Sequence, residues 1–257
     1  MDDVIVSVCC MAYNQQAFIR AALDGILMQR TSFPFEIIIH DDASIDGTAD
    51  IIREYERRFP SIIRPIYQTE NQLSKAGIYP IRFLYAAARG KYIAECDADD
   101  YWTDPLKLQK QVDFMEANPD CSMCYHAYQM LRDGVFSEPS TSPPRDYSAD
   151  ELIAFELSGY GIATNTKLYR NIFSLGERRY FNNFCPDYVL NVLMGMHGKC
   201  KFIPGISPSV YRKHSGNTWS GTPGTTEKVR IMFQRLYDRI LETGNPHFIE
   251  LRQGFLS

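Results

Sequence analysis

From Val4 to Cys96 the chain alternates short β-branched apolar runs with stretches of helical spacing, and no other feature narrows the fold as much. Val4 to Met11 reads as a strand. Gln15 to Gln29 reads as a helix with Phe18, Ile19, Ala22, Ile26 and Leu27 on one face. Phe35 to His40 repeats the strand signal, Ser44 to Thr48 supplies helix-capping chemistry, and Ile51 to Phe59 continues as an amphipathic helix. Ile62 to Tyr67, Ile78 to Arg89 and Lys91 to Cys96 then read as strand, helix and strand. Consecutive βα units of this kind predict an α/β fold with a mostly parallel, Rossmann-like central sheet flanked by helices.

The pattern becomes mixed beyond Asp104. Helices are expected over Pro105 to Asn118, Ala149 to Leu157 and Asp187 to His197. Strands are expected over Cys121 to Leu131, Ile162 to Tyr169, Lys201 to Ile206 and Ser209 to Arg212, and the proline-rich Ser137 to Arg145 reads as a surface loop. A last helix, Glu227 to Glu242, places Val229, Met232, Phe233, Leu236 and Ile240 on one face. It is expected to dock onto the domain, with peripheral membrane contact as the alternative.

At 257 residues and 45% hydrophobic, the chain can bury one substantial core. A net charge of −4 gives no reason to expect a nucleic-acid partner. No apolar run reaches the ~20 residues of a membrane span, and Met1-Asp2-Asp3 lacks the character of a signal peptide, so the chain reads as cytoplasmic, at or near the inner face of a membrane. Its seven cysteines are odd in number and lie mostly in apolar stretches, which suits reduced core thiols. Cys121 and Cys124 have no second pair to complete a zinc site.

In open α/β sheets, ligands sit beyond the carboxyl ends of the strands. Three strands deliver polar residues to that edge: Ala12-Tyr13-Asn14, Asp41-Asp42, and Asp97-Ala98-Asp99-Asp100. Each alone would pass for turn chemistry, but three together suggest a site. In an extended segment Asp97 and Asp99 point the same way and Asp100 elsewhere. Paired carboxylates repel unless a cation neutralises them, and hard oxygen donors suit Mg²⁺ or Mn²⁺. Such an ion commonly completes its shell with substrate phosphates. No Gly-rich loop ending in Lys-Ser/Thr and no G-x-G-x-x-G is present, which removes the main support for P-loop and dinucleotide readings. Met11 to Asn14 also lacks the glycine and basic residues of a sugar-nucleotide pyrophosphorylase turn.

With these residues in place, the first ~220 positions resemble the family 2 glycosyltransferases and their GT-A fold. VSVCCMAYN from Val6 to Asn14 is similar to the family's opening strand and turn, with Met11 where proline is usual. DDASIDGT from Asp41 to Thr48 is similar to its second motif, and DADDYW from Asp97 to Trp102 to its DxD motif. The resemblance implies a domain over 1–220, with a nucleotide-sugar half at 1–104, an acceptor half at 105–220, and a helical extension at 221–257. It also implies that Ala12, Tyr13, Asn14, Asp41 and Asp42 hold base and ribose, and that Asp97, Ala98 and Asp99 hold ribose, diphosphate or metal. Asp187 in FCPDY matches the family's general base, with Pro186 in place of the preceding acid; from position alone it reads equally as a first-turn helix residue. YRKH from Tyr211 to His214 matches a late motif, implying Arg212 and Lys213 near the phosphates and His214 on metal or diphosphate. Gly216 and Gly221 would flank a mobile flap, with Trp219 as its apolar cover.

The implied reaction is inverting, metal-dependent transfer of a sugar from a nucleotide diphosphate donor, most commonly UDP, to a hydroxyl of a glycan or lipid-linked acceptor. Polysaccharide or cell-envelope glycan assembly is the implied setting. Two rival classes are a noncatalytic scaffold that keeps the sugar-nucleotide crevice and a carbohydrate-binding module without nucleotide. The second has no use for Asp97 and Asp99.

Overall fold

A computed structural model of the chain describes residues 3–76, 80–139, 145–148, 151–152, 162–172 and 186–214. The first half follows the expected alternation: β1 (Val6–Ala12), α1 (Ile19–Leu27), β2 (Phe35–Asp41), α2 (Thr48–Arg58), β3 (Ile63–Tyr67), α3 (Gln72–Ala76), α4 (Ile81–Ala87) and β4 (Tyr92–Glu95). The second half contributes α5 (Lys107–Ala117), β5 (Cys121–Tyr125), β6 (Tyr128–Arg132), β7 (Val135–Phe136), a 3₁₀ turn (Thr164–Thr166), β8 (Leu168–Arg170), α6 (Pro186–His197), β9 (Lys199–Phe202) and β10 (Ser209–Lys213).

Seven strands form one sheet in the order β3-β2-β1-β4-β8-β5-β9. β1 pairs parallel with β2 and β4, β2 pairs parallel with β3, and β8 runs antiparallel between β4 and β5. The chain therefore builds outward from β1 through β2 to β3, then returns to the other side of β1 with β4. This reversal opens a crevice at the carboxyl ends of β1 and β4.

Strand alternation explains the two cores. Val6, Val8, Cys10 and Ala12 of β1 and Ile37 and Ile39 of β2 face one apolar cluster, while Cys9 and Ile38 face the other. The polar exceptions pair with each other. Ser7 Oγ donates to Glu36 Oε1 at 2.7 Å, and Glu36, 1% exposed, also binds the guanidinium groups of Arg64 and Arg89. The backbone packs so closely there that a Cβ on Gly90 would lie 2.4 Å from the Ser7 nitrogen.

Four expectations about elements need correction, the first being the strand expected over Ile162 to Tyr169, which is a 3₁₀ turn at Thr164–Thr166 followed by the three-residue strand Leu168–Arg170. The helix expected from Gln15 starts at Ile19, because Gln15 and Gln16 spend their amides on side chains of the neighbouring turn. The helix expected over 78–89 covers only Ile81–Ala87, and α3 before it was not foreseen. The single strand expected over Cys121 to Leu131 is two strands in different sheets. The chain leaves the large sheet at the buried His126, whose ring lies 3.3 Å from Ser209 Oγ, and β6 then joins β7 and β10 in a three-stranded sheet.

The six described cysteines are buried free thiols. Among the described residues, no helix is long and apolar enough to cross a membrane. Cys185, most of the 149–157 helix, the Gly216–Gly221 flap with Trp219, and the 227–242 helix lie outside the described residues.

Candidate active site

Each strand leading to the crevice ends in a turn that the sequence builds from short polar side chains. After Ala12, Tyr13 stands 45% exposed, and Asn14 takes a left-handed backbone with φ of 54°. Asn14 tolerates this because its side chain bonds locally: Oδ1 accepts from the Ile45 amide at 2.9 Å, while its own amide donates to Ser44 Oγ at 2.9 Å. Gln15 and Gln16 donate to Thr48 Oγ1 and Asp46 Oδ2 in the same way. The loops after β1 and β2 are thus laced into one unit. Asp46, Ser44 and Thr48, expected to cap the following helix, also tie the loop after β2 to the turn after β1.

The acidic pair after β2 divides its work. Asp42, 2% exposed, accepts from the Gln72 amide at 2.8 Å and the Leu73 amide at 3.2 Å, which caps α3. Asp41 is buried with one carboxylate oxygen lacking a partner, and burial raises its pKa against hydrogen bonds from Ser44.

β4 stops at Glu95, but the backbone keeps bonding to β1: the Cys96 amide donates to the Cys9 carbonyl and the Ala98 amide to the Met11 carbonyl, both at 3.0 Å. The Asp100 amide then closes a turn on the Asp97 carbonyl at 3.0 Å. The segment 97–100 is therefore a turn, not the extended run assumed from sequence. Asp97 and Asp99 are nevertheless half-buried, with Ala98 and Asp100 buried between and after them.

β10 runs along this turn. Tyr101 and Val210 exchange backbone bonds of 3.2 and 2.8 Å, and Arg212 Nε donates to the Asp99 carbonyl at 2.8 Å. His214 Nε2 lies 3.1 Å from Asp99 Oδ2. The Arg212 guanidinium sits 4.8 Å from the Phe18 ring centroid and 5.1 Å from that of Tyr101, and the His214 ring lies 4.7 Å from Phe18. Lys213 is half-buried at the end of β10, in register with Arg132. Phe18, Tyr101, Asp100 and Asn165 are the residues here that sequence reasoning missed. Only Asp100 carried a signal, as the third acid of its motif.

Asp187 is half-buried in the first turn of α6, behind Pro186. Its charge reaches the motif after β4. Burial raises the pKa of Asp97, and the carboxylates of Asp99, Asp187, Asp100 and Glu95 raise it further. The Tyr211 hydroxyl is pushed up by its burial and by Asp100, Asp99, Asp97 and Asp187. These acids thus share one negative field, which favours a cation and opposes a bare diphosphate. The structure brings Asp99, Arg212 and His214 into contact, with Asp97 in the same turn, and Asp187 is tied to them by its electrostatic effect on Asp97. Asn14 and Asp42 spend their side chains on the loops that wall the crevice.

Comparisons with known proteins identify the family and the fold. The model of glycosyl transferase family 2 matches residues 7–175. An uncharacterized protein of Mycobacterium tuberculosis (strain H37Rv) is 39% identical over 221 residues, covering 83% of this chain and 60% of that protein. The UDP-Glc:alpha-D-GlcNAc-diphosphoundecaprenol beta-1,3-glucosyltransferase WfaP of Escherichia coli is 34% identical over 140 residues, covering 54% of this chain and 52% of its own. The chain thus spans less than two thirds of the length of either relative. Among solved structures, S. aureus TarS in complex with UDP-GlcNAc has a TM-score of 0.72 at 18% identity, covering 93% of this chain and 67% of that one. The mannosyltransferase PcManGT of Pyrobaculum calidifontis, in complex with GDP-Man and Mn²⁺, has a TM-score of 0.59 at 15% identity, covering 98% and 79%. At such identities the likeness shows the fold, which is GT-A. With the family model spanning the crevice strands and the motif turn, the chain belongs to glycosyl transferase family 2.

Proposed function

We propose that the chain is the catalytic unit of an inverting glycosyltransferase that moves a sugar from a nucleotide diphosphate donor to a hydroxyl of a glycan or lipid-linked acceptor. The observation that carries this reading is the contact of Asp99 with Arg212 and His214, beside Asp97, at the strand ends where strand order reverses. The names of the similar proteins support it: WfaP takes UDP-Glc to a lipid diphosphate sugar, and TarS was crystallised with UDP-GlcNAc. UDP is accordingly the first base to test, with GDP second because PcManGT holds GDP-Man. Assembly of a cell-envelope polysaccharide is the matching setting.

Among the described residues no group of three His, Cys, Asp or Glu side chains could hold a metal ion by itself. Asp99 and His214 offer two donors in contact, which fits a Mg²⁺ or Mn²⁺ that takes its remaining ligands from water and the donor's diphosphate. When bound, the ion would neutralise charge on the leaving diphosphate.

The protein's own residues account for the remaining steps. Exposed Tyr13 offers a face for the base, above the loops fixed by Asn14 and Asp42. Asp97, in the turn after β4, would bind the ribose, as the family resemblance implies. Arg212, held between Phe18 and Tyr101, sets a fixed positive charge beside the turn for the phosphates, with Lys213 next to it. Asp187 takes the proton of the acceptor hydroxyl as that oxygen bonds to the anomeric carbon. The bond from that carbon to the diphosphate breaks on the opposite side, so configuration inverts.

The test is release of nucleoside diphosphate from a panel of nucleotide sugars with glycan and lipid-linked acceptors and Mn²⁺. Release that needs acceptor and is lost in Asp99→Ala supports the reading. Binding of nucleotide sugar without release, across the panel, would favour the scaffold.

A further inference from the structure

Asp100 follows the two half-buried acids of its motif, yet it is 3% exposed and turned away from them into the protein. Both of its oxygens are used. Oδ1 accepts from the Arg212 amide at 2.8 Å, and Oδ2 accepts from Asn165 Nδ2 at 3.0 Å. Asn165, 1% exposed, uses the same nitrogen to reach the Val210 carbonyl at 3.0 Å. Its backbone carbonyl accepts from Trp102 Nε1 at 2.8 Å and from Ser209 Oγ at 3.1 Å. Two buried side chains therefore bind three successive parts of the fold: the turn after β4, the 3₁₀ turn before β8, and β10.

The consequence falls on β10. One edge of this strand pairs with β6, and its other edge meets the site through the Tyr101 bridge, the Asp100–Asn165 bonds and the Arg212 Nε bond to the Asp99 carbonyl. The strand leads directly to His214, whose ring must meet Asp99 across a separation of 115 residues. An acceptor that takes two N–H donors inside the protein has its geometry fixed, because Asp100 and Asn165 are buried away from water.

We propose that Asp100 and Asn165 form a positioning latch, which holds β10 against the motif turn and so sets His214 and Arg212 where the donor's metal and diphosphate are met. The proposal rests on the donor-site reading above. Neither residue touches the donor.

The test compares binding of the tightest of UDP, GDP, CDP and dTDP, with and without Mn²⁺, in the wild type and Asp100→Asn. The variant keeps an oxygen for the Arg212 amide but presents an amide nitrogen to that of Asn165. We expect its Mn²⁺-dependent affinity to fall about tenfold, the size of one buried hydrogen bond lost with its donor left unpaired, while Mn²⁺-free affinity changes less than about twofold. Adding Asn165→Asp restores the bond between the two side chains in exchanged places but gives up the one to the Val210 carbonyl, so only part of the loss should be recovered, a coupling that general destabilisation would not produce. If Asp100→Asn does not fold, Asn165→Ser supplies the same comparison, because it leaves Asp100 and its bond to Arg212 in place. Equal losses with and without Mn²⁺, or none, would overturn the latch alone. A wild type that binds none of the four nucleotides, with or without Mn²⁺, would instead remove the donor site and the latch with it.

Discussion

The two halves of the molecule position their polar residues in different ways. Up to β4, strand-end groups bond to the neighbouring βα turn, about one repeat away: the Asn14 amide to Ser44 Oγ at a separation of 30, the Gln15 amide to Thr48 Oγ1 at 33, and the Asp42 carboxylate to the Gln72 amide at 30. In the second half the bonds reach back across the chain: Thr103 to Pro208 at 105, Asp100 to Arg212 at 112, Asp99 to His214 at 115. The first half builds its wall of the crevice from the regular repeat of the fold. The second half brings chemistry to that wall through a few long-range contacts. Substitutions in the first half should therefore be felt mainly in stability, and those in the second mainly in turnover.

The largest expected effect lies in the second half. Asp187→Asn should lower kcat ~10²–10⁴-fold, the usual worth of a general base, with donor KM and the thermal midpoint nearly unchanged. Steady-state kinetics beside a melting curve decide it. A lowered midpoint with kcat intact would make Asp187 a helix-start residue and break the contrast.

Glu36→Gln tests the other half. Removing a buried carboxylate from its cations costs ~3–5 kcal/mol when both partners are buried, but Arg64 and Arg89 reach solvent, so roughly 2–3 kcal/mol is expected here. The midpoint should fall roughly 4–12 °C while activity well below it is retained. Burial raises the pKa of Glu36, but bonds from Arg89, Ser7 and Arg64 outweigh it and hold the folded value below the ordinary 4.5. That stabilisation is fully present above 4.5 and is lost as pH falls through the lower folded value. Glu36→Gln should accordingly flatten the acid limb of the stability profile, and an unchanged limb would assign the acid sensitivity to other carboxylates.

The smallest effect sharpens the division within the site. Asn14→Ala loses the bond to the Ile45 amide and puts alanine at φ 54°, for a cost of about 1–2 kcal/mol by chemical denaturation. Donor KM should stay within about twofold. A tenfold rise in KM at unchanged stability would show Asn14 contacting the donor.

Much of this was legible in the sequence because it is local. β-branched runs such as Ile37-Ile38-Ile39 can only be buried strands in such an alternation, and their carboxyl ends carry the Asp-rich turns. Asp42 was less legible, because an acid at a strand end caps a short helix as readily as it binds a ligand, and α3 left too brief a pattern to read. The strand break at His126 hides inside a run whose spacing is strand-like throughout, where one histidine does not by itself mark a change of sheet. Asn165 gave no signal at all. Its role depends on Asp100 and Val210, partners 65 and 45 residues away, which no local pattern encodes.

The central claim is that the crevice holds a nucleoside diphosphate through Asp99 and a divalent ion. Its most direct test is the thermal midpoint with saturating UDP, GDP, CDP and dTDP, each with and without Mn²⁺, in the wild type and Asp99→Ala. At about 100 times its dissociation constant a ligand adds ~2.7 kcal/mol, or roughly 5–11 °C in a domain of this size. A shift of that order for one nucleotide, dependent on Mn²⁺ and absent in Asp99→Ala, is the predicted result. No shift for any nucleotide, or an equal shift in Asp99→Ala, would contradict it.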